Sequence, residues 1–216
     1  DSEEEADAIV INTCCFIHDA KEESVNTILE MAEYKKNGTC KILIVTGCMA
    51  QRYKEEITEE IPEVDAVLGT TSYGDIVKAL NEAEAGHVFQ EFKDINALPE
   101  DSGRRVITTG GHFGYLKIAE GCDKHCTYCI IPSLRGKFRS VPEERLLKQA
   151  EYMASQGVRE LILVAQETTV YGTDLYGKKT LHILLKKLCQ IKGIRWIRVL
   201  YCYPEEIYDE LIQVMK

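Results

Sequence analysis

Residues 8–48 read AIVINTCCFIHDAKEESVNTILEMAEYKKNGTCKILIVTGC, two β-branched runs on either side of one amphipathic segment. The run Ala8–Asn12 (AIVIN) is nearly all apolar, as expected of a buried strand, and it stops at Thr13-Cys14. Asp19 can cap a helix, with Glu22 three residues on to complete a capping box. Val25, Ile28, Leu29 and Ala32 fall on one face of that helix, and Gly38 follows its end. Lys41–Thr46 (KILIVT) is a second strand that stops at Gly47-Cys48. A strand–helix–strand order implies a parallel sheet covered by helices. In such sheets function collects beyond the carboxyl ends of the strands, where Cys14 and Cys48 both fall.

Working outward, the same alternation continues with a helix through Tyr53–Ile61, a strand near Asp65–Leu68 and a helix from Tyr73 to Glu84. Gly86 to Gly111, with Pro99, Ser102, Gly103 and Gly110, reads as an irregular connection. The expected division is a first α/β domain over 1–98, a linker over 99–112 and a second βα array over 113–216. In the second part Phe113–Glu120 is a strand and Gly121–Ser140 a loop. Ser140 and Glu143 form another capping box, with Pro142 in the first turn. The helix that follows buries Leu146, Ala150, Met153 and Ala154 and stops at Gly157. Glu160–Gln166 and Ile194–Tyr203 are strands, and Leu181–Gln190 and Pro204–Met215 are helices. These are three successive βα units. A closed eight-unit barrel takes about 250 residues, so this stretch supplies the first part of one.

Composition narrows the class. The 216 residues are 45% hydrophobic and 28% charged, which is globular rather than disordered. A net charge of −9 does not suit a general polyanion binder, although Arg135, Lys137 and Arg139 form a local basic group that could meet an acidic side chain or a phosphate. The longest apolar stretches, Ile42–Val45 and Leu161–Ala165, fall far short of the ~20 residues that span a bilayer. The acidic start Asp1-Ser2-Glu3-Glu4-Glu5 is unlike a basic signal peptide, and a cytoplasmic location without membrane attachment is expected. Nine cysteines in such a chain point to metal or redox chemistry for some of them.

Gly121–Cys129 reads GCDKHCTYC, a C-x3-C-x2-C spacing directly after a strand. Three thiolates on one tight loop can reach three corners of an iron–sulfur cube and leave the fourth iron open to a small molecule. Such clusters commonly take four thiolates, which makes three the informative number. Two other readings stay open. His125 could join Cys122, Cys126 and Cys129 in a zinc site, which predicts a colourless protein. A plain electron-transfer cluster would be coloured but would cleave no substrate.

The Cys122–Cys129 loop closely resembles the signature of the radical S-adenosylmethionine (SAM) superfamily. The resemblance implies that Cys122, Cys126 and Cys129 ligate a 4Fe–4S cluster whose open iron chelates SAM, that Tyr128 lies near the adenine, and that an electron from the cluster cleaves SAM to methionine and a 5′-deoxyadenosyl radical. Together with Thr13-Cys14 and Gly47-Cys48-Met49-Ala50-Gln51-Arg52, the chain resembles the methylthiotransferases. These carry a second 4Fe–4S cluster in an N-terminal flavodoxin-like α/β domain, followed by a partial (β/α) radical SAM barrel. The implied upstream ligands are Cys14 and Cys48. The family's first cysteine would precede Cys14, where this sequence has none, so the opening strand and its ligand are expected to be missing. Cys15 is left unassigned, and Cys40, Cys189 and Cys202 are taken as ordinary thiols.

One branch of this family modifies a tRNA adenosine next to the anticodon; the other adds a methylthio group to the β-carbon of an aspartate of ribosomal protein S-twelve. Ile130–Gly136 (IIPSLRG), Ala165–Gly172 (AQETTVYG) and Leu200–Pro204 (LYCYP) resemble the ribosomal-protein branch. The implied partners are therefore that protein, tRNA as the alternative substrate, and an electron donor. Gln166 and Glu167 match positions that contact the methionine end of SAM, against which stands an exposed strand-end carboxylate for Glu167. Arg198 is read as either an ion pair or a cofactor contact. Relatives continue beyond the third βα unit. The 216 residues alone are expected to be inactive in methylthiolation and to expose apolar strand edges.

Overall fold

In the computed structural model, which describes residues 2–99 and 105–216, the two opening runs form adjacent parallel strands, β1 (Ala8–Thr13) and β2 (Ile42–Gly47), joined by helix α1 (His18–Asn37). The chain clusters into two units: Asp1–Asp101 with His125–Arg135, and Ser102–Lys124 with Gly136–Lys216. Of the expected 99–112 linker, residues 100–104 lie outside the described residues.

In the first unit β2 is buried along its whole length. Leu43 and Val45 pack on one face with Ile28 and Ala32, while Ile42 and Ile44 pack on the other with Ala79. A strand covered on both faces needs no alternation, which is why its sequence is continuously apolar. The chain runs on through α2 (Cys48–Arg52), α3 (Lys54–Glu60), β3 (Ala66–Leu68), α4 (Ile76–Glu84) and β4 (Phe89–Glu91), and the sheet order β1-β2-β3-β4 is parallel throughout. Helix α5 (Ile131–Arg135) belongs to this unit as well. Its Leu134 joins the core beneath β2, and the Thr70 hydroxyl donates to the Leu134 carbonyl at 2.9 Å.

Three expectations for this unit are corrected. Helix α1 starts before Asp19: Ile17 is its N-cap, accepting from the Lys21 N–H at 3.1 Å, and no capping box forms. Asp19 instead sits in the first turn, where its charge complements the helix dipole. The buried stripe is Ser24, Ile28 and Ala32, and Leu29 faces solvent. Strand β4 lies within the stretch read as irregular.

In the second unit β5 (Phe113–Lys117), β8 (Glu160–Val164) and β9 (Trp196–Val199) form a parallel sheet in the order β5-β8-β9, and β6 (Ala119–Glu120) pairs antiparallel with β7 (Arg139–Ser140). The expected Phe113–Glu120 strand is thus two strands. Ile118 still donates to Val164 O at 2.9 Å, but its own carbonyl accepts from Val141, which turns the chain onto β7. This closes the base of the 121–138 loop. Helix α6 (Glu143–Ser155) buries Leu146, Ala150, Met153 and Ala154. Helix α8 (Leu181–Leu188) buries four leucines, and the short α7 (Thr173–Tyr176) and α9 (Asp209–Met215) complete the unit. The expected Ser140 capping box is absent, because Pro142 is the N-cap and Ser140 is engaged elsewhere. Its amide and hydroxyl donate to Asp174 at 2.9 and 2.6 Å, and its oxygen accepts from Gly172 N.

Candidate active site

In the first unit Thr13 and Gly47 are register partners at the ends of β1 and β2, so Cys14 and Cys48 leave adjacent strands side by side in sequence register. Gly47 has φ 98°, and a Cβ there would lie 2.4 Å from Thr13 O. Only glycine permits this approach. The Ser24 hydroxyl accepts from Cys14 N at 3.0 Å and donates to Cys14 O at 2.8 Å, pinning the backbone while the Cys14 side chain remains exposed. Cys15 turns inward, is 2% exposed, and donates to Cys48 O at 3.2 Å. Burial, reinforced by nearby Cys48, pushes the Cys15 thiol up. Cys15 is thus a core thiol, whereas Cys48, the first residue of α2, is half-buried and its sulfur accepts from Arg135 Nε at 3.2 Å.

The loop residues of this unit are open. Cys126 and Cys129 are partly exposed and linked by a turn in which Cys129 N donates to Cys126 O at 3.0 Å. His125 is exposed, and Tyr128 is 85% exposed. Arg135 is drawn out of the expected basic group onto Cys48 and the Tyr73 hydroxyl, and Arg139 folds back on the Lys137 carbonyl.

In the second unit Gly121, at φ 71°, begins the cysteine loop. A Cβ there would meet the carbonyl oxygens of Lys137 and Gly136 at 2.1 and 2.5 Å. Cys122 N donates to Gly136 O at 3.1 Å, Phe138 N donates to Asp123 Oδ1 at 3.0 Å, and Lys124 N points at the Cys122 sulfur at 3.4 Å. Cys122, Lys124, Phe138, Glu167, Lys179 and Glu206 line a cavity of about 290 Å³. Glu167 is only 3% exposed, which excludes the solvated strand-end carboxylate. Its Oε1 accepts from Thr169 N at 3.0 Å, from the Thr169 hydroxyl and from Tyr203 N at 3.4 Å, tying the chain after β8 to the chain after β9. Gln166 Oε1 is buried and, among the described residues, has no hydrogen-bond partner. Across the cavity Glu206 pairs with Lys124 and, at 2.9 Å, with Lys179. The hydrogen bond from Lys124, then that from Lys179, holds the Glu206 carboxyl below the usual carboxylate range.

Arg198 pairs with Glu160 at 2.7 and 2.8 Å, the ion pair of the two expected alternatives. Cys40 is buried and Cys202 lies 3.4 Å from the Thr168 hydroxyl, while Cys189 is exposed. Among the described residues no three His, Cys, Asp or Glu side chains are gathered as a metal set. The donor chemistry nonetheless fits a thiolate-ligated cluster: Cys14, Cys48, Cys122, Cys126 and Cys129 are all outside the core and outside disulfides.

Residues 1–69 match the uncharacterized protein family UPF0004, and residues 116–216 match the radical SAM superfamily. The chain is 67% identical, over 99% of its length, to a ribosomal protein uS12 methylthiotransferase RimO of Lachnoclostridium phytofermentans, covering 49% of that protein. It is 54% identical to the RimO of Clostridioides difficile over 99% of the chain and 48% of the relative. The chain is thus similar to radical SAM methylthiotransferases across both of its units. It spans about half the length of the curated relatives it matches. The solved radical SAM methyltransferase TsrM of Kitasatospora setae has the same fold over 96% of this chain and 46% of its own, with a TM-score of 0.61 at 10% identity. The α/β and partial-barrel architecture is common to both.

The cavity residues that sequence reasoning missed are Lys124, Lys179 and Glu206. Lys124 lies inside the cysteine loop and could have been found. Lys179 lies in irregular chain before α8 and Glu206 ends a short 3-10 helix (Pro204–Glu206), and the two meet only through the tertiary fold.

Proposed function

We propose that the protein is an enzyme that adds a methylthio group to the β-carbon of an aspartate in ribosomal protein uS12, with two 4Fe–4S clusters and SAM as cofactors and an external electron donor. The observation that carries this reading is the 67% identity to a uS12 methylthiotransferase across both cysteine-bearing units. Cys122, Cys126 and Cys129 would hold one cluster, Cys14 and Cys48 would contribute to the other, and Tyr128, Gln166 and Glu167 would contact SAM. Once bound, these groups supply a radical able to break a C–H bond that acid–base chemistry cannot reach, together with the sulfur and methyl to be transferred.

The chain's own residues then bind and orient. Gly121 lets the loop backbone close on the 136–137 carbonyls, which aims Cys122 into the cavity. Gln166, next in sequence to the cavity-lining Glu167, would offer its side-chain oxygen to an ammonium group. The Lys124 and Lys179 ammoniums line the cavity and suit a carboxylate, in competition with Glu206. A SAM methionine end carries both groups. Incubating the full-length, anaerobically reconstituted protein with uS12, SAM and a reductant should add the mass of one methylthio group in place of one hydrogen on a single aspartate. A gain on tRNA adenosine and none on uS12 would overturn the reading.

A further inference from the structure

The Arg135 guanidinium, six residues after Cys129, is fixed against Cys48 of the upstream cysteine pair. Leu134 is 5% exposed in the core of the first unit, and its carbonyl accepts from the Thr70 hydroxyl at 2.9 Å. Thr70 is anchored in turn, its amide donating at 3.1 Å to Gln51, which lies on the helix that begins at Cys48. The backbone at Leu134, within α5, is therefore anchored directly before Arg135. Nε donates to Cys48 Sγ at 3.2 Å, and Nη1 donates to the Tyr73 hydroxyl at 3.2 Å. A planar guanidinium held at two donors has a set orientation.

We infer that Arg135 is a positioning residue for the upstream cluster, donating to the Cys48 sulfur and raising the reduction potential of the cluster that this sulfur ligates. The inference rests on the reading that Cys48 is a cluster ligand. The physical reason is charge. Reduction adds an electron to a thiolate-ligated cluster, and a cationic hydrogen-bond donor on one sulfur stabilises the more negative state. Tyr73 acts one step further out, by keeping the guanidinium edge on the sulfur.

The test uses the full-length protein carrying Cys122→Ala, Cys126→Ala and Cys129→Ala, so that only the upstream cluster loads on anaerobic treatment with iron and sulfide. Iron content is measured first, followed by a dithionite titration monitored by electron paramagnetic resonance. Arg135→Met is expected to load iron as its parent does and to shift the midpoint potential downward. Tyr73→Phe and Arg135→Lys should shift it in the same direction by less. Unchanged potentials in the loaded variants overturn the inference while leaving Cys48 as a ligand. If Arg135→Met loads poorly, the Tyr73→Phe and Arg135→Lys potentials decide. A parent that takes up no cluster removes the ligand reading itself and the inference with it.

Discussion

Gly121→Ala is expected to abolish iron–sulfur loading at the downstream loop. The glycine sits at φ 71°, where a residue with a side chain pays about 1–3 kcal/mol in backbone strain alone. The added Cβ would also meet two backbone carbonyl oxygens at 2.1 and 2.5 Å, and backbone cannot move aside as a flexible side chain can. The β6–β7 closure must open, and with it the Cys122 N–H bond to Gly136 O is lost. Gly177→Ala is the matched control, since Gly177 has φ 67° in the same unit but nothing within 4 Å of its Cβ position. Iron content per chain should fall by one cluster in Gly121→Ala and stay at the parent value in Gly177→Ala. Equal loading in all three would refute the claim that this turn sets the loop.

Glu167→Ala should be the most damaging single truncation within the cavity wall. The carboxylate is buried, and its loss strands the buried Thr169 amide and removes the acceptor of Tyr203 N. At about 1–3 kcal/mol for one buried unsatisfied group, the expected destabilisation is about 1–3 kcal/mol, read as a lowered urea midpoint. Glu167→Gln keeps an oxygen acceptor in the same place and should cost less than half as much. Both variants should weaken SAM binding in calorimetry if the cavity is the SAM site. An alanine variant as stable as the parent would show that the bracket between the two strand ends carries no load.

The parts that the sequence made legible are those governed by local pattern. Continuous apolar runs identified β1 and β2, and the 3.6-residue period of α6 placed Leu146, Ala150, Met153 and Ala154 in the core. The cysteine spacing was legible because three cysteines on one loop need no tertiary information. What was hidden depends on contacts between distant segments. Ser140 looked like a helix cap, but Asp174, 34 residues away, takes its hydroxyl. Strand β4 has only three residues, too few for a period to show, and is held by register with β3. Arg135 read as surface because nothing in its neighbourhood announces Cys48, 87 residues earlier. Glu167 was ambiguous for the same reason: its burial is decided by Thr169 and by Tyr203 on the following strand's extension.

The cysteine loop is the centre of the account, and one measurement addresses it directly. The full-length protein is reconstituted anaerobically with iron and sulfide, reduced with dithionite and given SAM, and 5′-deoxyadenosine is quantified by liquid chromatography. A brown protein that forms 5′-deoxyadenosine, with formation lost in Cys126→Ala, is the expected result. A colourless, zinc-loaded protein, or a brown one that leaves SAM intact, would contradict it.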